Sequence, residues 1–204
     1  MRVRPALVVG AGIALATAAC SFPSLSRSPA VRFRGDAVDP AGDTAGISDA
    51  RIAHPPDLIY ARVEVTDAAV RLTVRFAPRS LDSATTGAEF LLDTDLDPAT
   101  GQRDPGLGVD YAVSLRAGPR RGATVSRAVT DPECAAPCRF EPFTRAELVL
   151  AGDEMEAVFP RSAFANFDGR LNFRVIAYAS LNGGRETRTS DHLPNLPAQF
   201  VAVR

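Results

Sequence analysis

"LIYARVEVTDAAVRLTVRF", residues 58–76, decides the fold. Its first half sets Ile59, Ala61, Val63 and Val65 against Tyr60, Arg62 and Glu64, and its second sets Val70, Leu72, Val74 and Phe76 against Arg71, Thr73 and Arg75. Successive side chains of an extended chain point to opposite faces, so a period of two describes a half-buried strand, whereas a helix repeats about every 3.6 residues. The intervening "TDAA" is short enough for a hairpin turn.

The same pattern recurs outward from this hairpin. "AEFLLDTD" (88–95) reads as a more deeply buried strand, "DYAVSLRA" (110–117) as a half-buried one and "GATVSRAV" (122–129) as a weaker one. "RAELVLAGDEMEAVFP" (145–160) holds two strands around Ala151, Gly152 and Asp153. "RLNFRVIAYASL" (170–181) is apolar on both faces, with Ile176 and Tyr178 on the second, which predicts a central strand. "AQFVAV" (198–203) reads as a final edge strand, and only "PRSAFANF" (160–167) reads as a helical turn. Eight or nine short strands, turn signals between them and no long helix predict an all-β, antiparallel, jelly-roll-like β-sandwich. The chain has 204 residues and 46% hydrophobic composition, enough for one domain with a true core, expected over 36–204.

The N-terminal "MRVRPALVVGAGIALATAAC" has two arginines, a short apolar run and small residues, the layout of a secretory signal over 1–19. The apolar run is shorter than the roughly 20 residues of a membrane-spanning helix. "ATA" at 16–18 suits ordinary cleavage, whereas "TAAC" at 17–20 resembles a lipobox, with Thr17 where leucine is usual and Cys20 as the lipidated residue. Three cysteines are odd for an exported chain; lipid on Cys20 would leave Cys134 and Cys138 as a disulfide pair across "CAAPC". Residues 20–35, rich in Ser, Pro and Arg, read as a lipid-anchored tether. The expected address is the outer membrane or cell surface, and the alternative is a soluble periplasmic or secreted protein. The net charge is only −1, every basic residue is arginine, and no basic stripe forms, which argues against a nucleic-acid partner.

Against that near-neutral background, "DTDLDPATGQRDPGLGVD" (93–110) collects five aspartates and one arginine. Crowded carboxylates repel unless a cation lies among them. Calcium accepts six to eight oxygen ligands in tolerant geometry, so Asp93, Asp95, Asp97, Asp104 and Asp110 are the candidate ligands for Ca2+. Magnesium demands a stricter octahedron, and the segment has no His or Cys for zinc. The spacing is not that of an EF-hand, which needs glycine where Pro98 stands and glutamate where Asp104 stands. The alternative is a solvated loop of Asp-capped turns. A looser acidic group, Asp36, Asp39 and Asp43, reads first as turn-forming residues and second as another cation site.

The segment "FLLDTDLDPATGQRDPGLGVDYAVSL" resembles one found in secreted bacterial β-sandwich domains similar to the family 9 carbohydrate-binding modules and the DOMON-like group. The matching residues are Asp93, Asp95, Pro98, Thr100, Gly101, Gly108, Asp110 and Tyr111. "DPAGD" (39–43), "VFPRSAF" and "LNFRVIAYA" extend the likeness over roughly 36–195. The resemblance implies a sandwich fold and a metal-stabilised loop.

No G-x-S-x-G, H-E-x-x-H or phosphate-binding glycine loop is present, and His54 and His192 sit singly in loop-like sequence. The expected function is therefore a non-catalytic, calcium-stabilised extracytoplasmic lipoprotein, a structural or interaction module. Its expected partners are the membrane, through the lipid, and a glycan or envelope protein. A carbohydrate-binding module is the alternative, although sugar platforms rely on aromatic faces and the chain has three tyrosines and no tryptophan. A hydrolase with carboxylates brought together only by the fold is the third reading.

Overall fold

The alternation in 58–76 folds as a hairpin of two eight-residue strands, Leu58–Val65 and Ala69–Phe76. The computed structural model describes residues 30–44, 51–52, 54–118, 120–130, 137–165, 167–182, 185–195 and 199–204. The expected signal segment, Cys20 and Cys134 lie outside the described residues, as does the side chain of Cys138, and with them the expected lipidation and disulfide.

In chain order the strands are β1 (Phe33–Val38), β2 (Leu58–Val65), β3 (Ala69–Phe76), β4 (Thr86–Asp93), β5 (Gln102–Asp104), β6 (Leu107–Val109) and β7 (Tyr111–Arg116). They continue as β8 (Gly122–Thr130), β9 (Pro137–Ala146), β10 (Leu148–Ala151), β11 (Glu154–Pro160), β12 (Leu171–Leu181), β13 (Glu186–Leu193) and β14 (Val201–Val203). One 3-10 turn, Arg161–Ala163, follows Pro160. The fold is all-β and antiparallel, as expected of a sandwich, with fourteen strands among the described residues where eight or nine were expected. The first sheet runs β1-β2-β3-β11-β10; the second runs β13-β12-β4-β7-β8-β9, with β14 also on β12; β5 and β6 form a separate ribbon.

The inner faces of the two sheets make one core. Val63, Val70, Leu72, Val74 and Phe159 face Phe90, Val113, Val125, Phe173 and Val175, all fully buried. Phe90 and Phe173 pack as a tilted pair, 5.9 Å between ring centroids; truncating either to alanine would cost about 3–5 kcal/mol. The expected phase slips at one end of β2. A bulge between Leu58 and Tyr60 resets the alternation, so Leu58 is buried and Ile59 only half-buried. The outer face of the first sheet is charged, with Arg71–Glu156 and Arg75–Glu154 paired across β3 and β11 at 3.0 and 3.1 Å.

The outer face of the second sheet is different. The β5–β6 ribbon folds back over it, and Leu107 and Val109 pack on Leu91 and Ala112 as a second small core. Strand β4 is thus buried on both sides, which accounts for its near-continuous hydrophobic run. Strand β12 is central as expected, with β4 on one side and β13 and β14 on the other. Strand β1 begins at Phe33, inside the stretch read as tether, and exchanges backbone hydrogen bonds with Arg204 through Arg34 (3.2 and 3.4 Å). The first sheet's edge thereby meets the second sheet.

Candidate metal centre

Three of the five expected ligands converge. Asp93 ends β4, Asp95 follows one turn residue later, and Asp110 immediately precedes β7; one carboxylate oxygen from each lies within 4.8 Å of the others. The pairing of β4 with β7 holds the two ends of the segment together: the Asp110 amide donates to the Leu92 carbonyl at 2.9 Å.

Between those ends the loop is built from its own polar groups. Asp95 accepts the Asp97 amide (3.0 Å) and the Thr100 hydroxyl (2.9 Å to Oδ2). The Thr100 hydroxyl also reaches the Asp97 carbonyl at 2.9 Å. Asp110 Oδ2 accepts both the amide and the hydroxyl of Thr94 at 2.8 Å. Two glycines permit this closeness. Gly101 has φ +62°, and a Cβ there would stand 2.5 Å from the Val109 carbonyl oxygen. A Cβ on Gly108 would stand 2.2 Å from the Asp97 carbonyl oxygen and 2.4 Å from that of Thr100. The glycines of "TG" and "GLG" are therefore where the ribbon crosses the acidic turn.

Asp93 is the unusual member. It is 0% exposed, and neither of its carboxylate oxygens has a hydrogen-bond partner of good geometry. Burial pushes its carboxyl up to about 6; the Asp110 and Asp95 charges add to the rise, and the Leu96 amide and Asn172 side chain offset part of it. Burial also lifts the Asp110 carboxyl, against the Thr94 hydrogen bonds that hold it down. No arginine among the described residues ion-pairs with Asp93, Asp95 or Asp110. A buried carboxylate without a counter-charge is costly, and a hard cation held between buried Asp93, half-buried Asp110 and exposed Asp95 would remove that cost. The donors are all oxygen, which suits calcium. A hollow of about 320 Å³ lined by Thr94, Asp95, Asp110 and Arg127 among others opens beside the exposed members of the group.

The other two candidates are elsewhere. Asp97 is exposed and caps its own turn by accepting the Ala99 amide at 2.9 Å. Asp104 lies in β5 and faces Arg174 of β12, whose Nη1 donates to it at 2.5 Å. Burial lifts the Asp104 carboxyl and the Arg174 charge offsets part of the rise. Asp104 is thus the partner of an arginine and not a member of the three-carboxylate group. In the looser acidic stretch, Asp36 is exposed against Arg34 (3.3 Å), while Asp39 and Asp43 meet Asp191 of β13. Sequence reasoning missed Asp191. The available signal was an aspartate in the polar strand "ETRTSDHL", where an inward carboxylate has no apolar alternation to mark it.

Fold and site together define an antiparallel β-sandwich with an acidic, glycine-hinged loop at the end of a doubly buried strand. Compared with the models of known protein families and with curated proteins, the chain finds no match in either.

Proposed function

We propose that this protein is a non-catalytic β-sandwich module of the cell envelope whose 93–110 segment is locked by a bound calcium ion held by Asp93, Asp95 and Asp110. The observation that carries the reading is Asp93: fully buried, unpartnered at both oxygens, and grouped with two more carboxylates. An ion there fixes the base of the β5–β6 ribbon, which covers the outer face of the second sheet. The likeness of the central motif to family 9 carbohydrate-binding modules and DOMON-like domains supports the same assignment. Export and a lipid on Cys20 belong to the proposal on the strength of the N-terminal sequence; mass spectrometry of the mature N-terminus reads both.

The test is calorimetric titration of chelator-stripped protein with calcium, followed by melting. At calcium near a hundred times Kd, linkage predicts about 2.7 kcal/mol of stabilisation, a rise in Tm of about 5–10 °C for a domain this size. An unchanged melt removes the metal from the reading.

The carbohydrate-binding alternative has one observation in its favour, a polar hollow of about 690 Å³ on the outer face of the second sheet, lined by Glu89, Ser114, Arg116 and Thr124 among others. The tyrosines do not favour it. Tyr60 is flanked by Arg62 and Arg75 at 5.9 and 5.4 Å from its ring, and Tyr111 and Tyr178 are buried. A glycan array with calcium present distinguishes the two: specific binding makes the module a sugar receptor, and a blank array leaves the structural reading.

A further inference from the structure

We propose that Asp39, Asp43 and Asp191 form a second site for a hard divalent cation of the calcium class, one that staples the β1–β2 connection to strand β13. The three carboxylates each bring an oxygen within 4.8 Å of the others. They come from opposite ends of the chain: Asp39 and Asp43 follow β1 of the first sheet, and Asp191 belongs to β13 of the second. The site therefore bridges the sheets at an edge.

Proximity alone does not make a site, because acidic groups often gather in solvent. Here two of the three are buried, Asp39 at 6% and Asp191 at 2% exposure. Asp39 Oδ2 is buried with no partner at all. Its neighbour Asp57, 7% exposed, holds the Gly42 amide with Oδ2 (2.8 Å) and leaves Oδ1 buried and unpartnered. No described arginine pairs with Asp39, Asp43, Asp57 or Asp191. Arg174, which borders the hollow beside Asp43, is paired with Asp104. Burying several carboxylates together without positive charge is unfavourable, and a divalent cation resolves it.

The surroundings fit an ion. Asp191 is fixed by accepting the Leu58 and His192 amides, each at 2.7 Å, and every carboxylate oxygen so used retains a lone pair. The Asn195 amide nitrogen donates to Asp39 Oδ1 at 2.7 Å and Asp43 Oδ2 at 2.5 Å. A half-turn of that amide presents its oxygen instead, a fourth protein donor for a cation. A hollow of about 560 Å³, bordered by Asp43, Pro105, Arg174, His192, Pro194 and Asn195, admits the waters that calcium keeps. All donors are hard oxygens, which excludes a preference for softer metals.

Equilibrium dialysis of the full chain against calcium, after chelator treatment, tests this apart from the 93–110 site. The expected result is two ions per chain in the unaltered protein and one in Asp93→Asn. Asp39→Asn also binds one, and the combined variant binds none. Asp191→Asn risks the fold, because Asp191 holds the Leu58 amide; the exposed Asp43→Ala does not, and it should weaken one of the two binding steps about tenfold or more. The proposal is overturned if Asp93→Asn removes all binding, or if Asp39→Asn and Asp43→Ala leave stoichiometry and affinity unchanged. A single ion lost only in Asp39→Asn would uphold the second site and dismiss the first.

Discussion

Asp93, the last residue of β4, stands opposite Asn172 of β12 in the antiparallel register, and oxygens of both are buried without partners. A central ladder ends here in polar oxygens that form no hydrogen bond of good geometry among the described residues, with only the Leu96 amide and the Asn172 side chain close enough to ease the Asp93 charge in part. The pair marks where the sheet stops being an apolar scaffold and becomes the edge at which the proposed ion would sit.

Asp93→Asn should therefore change stability with opposite signs in the two metal states. Without calcium, removing the buried charge relieves the burden that lifts its carboxyl from 3.8 to about 6. At about 1.4 kcal/mol per unit this is a gain of up to roughly 3 kcal/mol. With calcium, the variant lacks a ligand of the 93–110 site, and its Tm should rise with the ion by less than that of the unaltered protein. Melting both proteins in chelator and in calcium checks the crossover; parallel shifts in both states would assign Asp93 a purely structural role.

The pH dependence follows with the same sign. Asp93, Asp39 and Asp191 are each lifted to about 6 in the folded chain, chiefly by burial. Between 3.8 and about 6 the folded metal-free protein thus holds more protons than the unfolded one, so its stability falls as pH rises through that window. Metal-free protein should melt higher at pH 5 than at pH 7. Calcium should stabilise strongly at pH 7 and weakly at pH 5, where protons compete for the same oxygens. A calcium effect independent of pH over this range would contradict carboxylate ligation.

How far these features could be read from the sequence depends on where each strand lies. The central strands β2, β3, β4, β7 and β12 bury one face or both, and hydrophobic periodicity marks them. The strands that periodicity missed are edges and small ribbons. Strand β9 is an edge that carries Pro142 beside a bulge, and β13 buries Ser190 and Asp191 where apolar residues would be expected. Strand β1 has six residues with Gly35 and Asp36 in the middle, and β5 and β6 have three each. The acidic centre was legible because Asp93 and Asp95 are local neighbours. The separation of Asp104 from it was not, because that depends on Arg174, which sequence places far away and the fold places alongside.

Gly108→Ala probes the crossing of ribbon and turn. The added methyl meets two carbonyl oxygens, those of Asp97 and Thr100, which are backbone and cannot rotate aside. Overpacking of this kind costs about 1–3 kcal/mol, and here it spreads the turn that carries Asp95. Both a lower Tm and weaker calcium binding are expected in calorimetry. A loss of stability with unchanged affinity would mean that the turn does not position the ligand.

Arg174 and Asp104 give the sharpest test of which aspartates belong to the metal. Arg174 is 9% exposed at its side chain, and besides Asp104 it donates to the carbonyls of Gln199 (2.6 Å from Nη2) and Pro105 (3.2 Å). Arg174→Met leaves a partly buried carboxylate and two carbonyls without their donor, an expected loss of about 3 kcal/mol. Asp104→Asn keeps a neutral acceptor and should cost less, about 1 kcal/mol. Residues in one such network do not add, so the double variant Arg174→Met/Asp104→Asn should be more stable than the sum of the singles by about 1 kcal/mol or more. All three should retain the part of the calcium-induced rise in Tm that the Asp93–Asp95–Asp110 group supplies, because none touches that group. Loss of that rise in Asp104→Asn alone would return Asp104 to the ligand set and make its contact with Arg174 incidental.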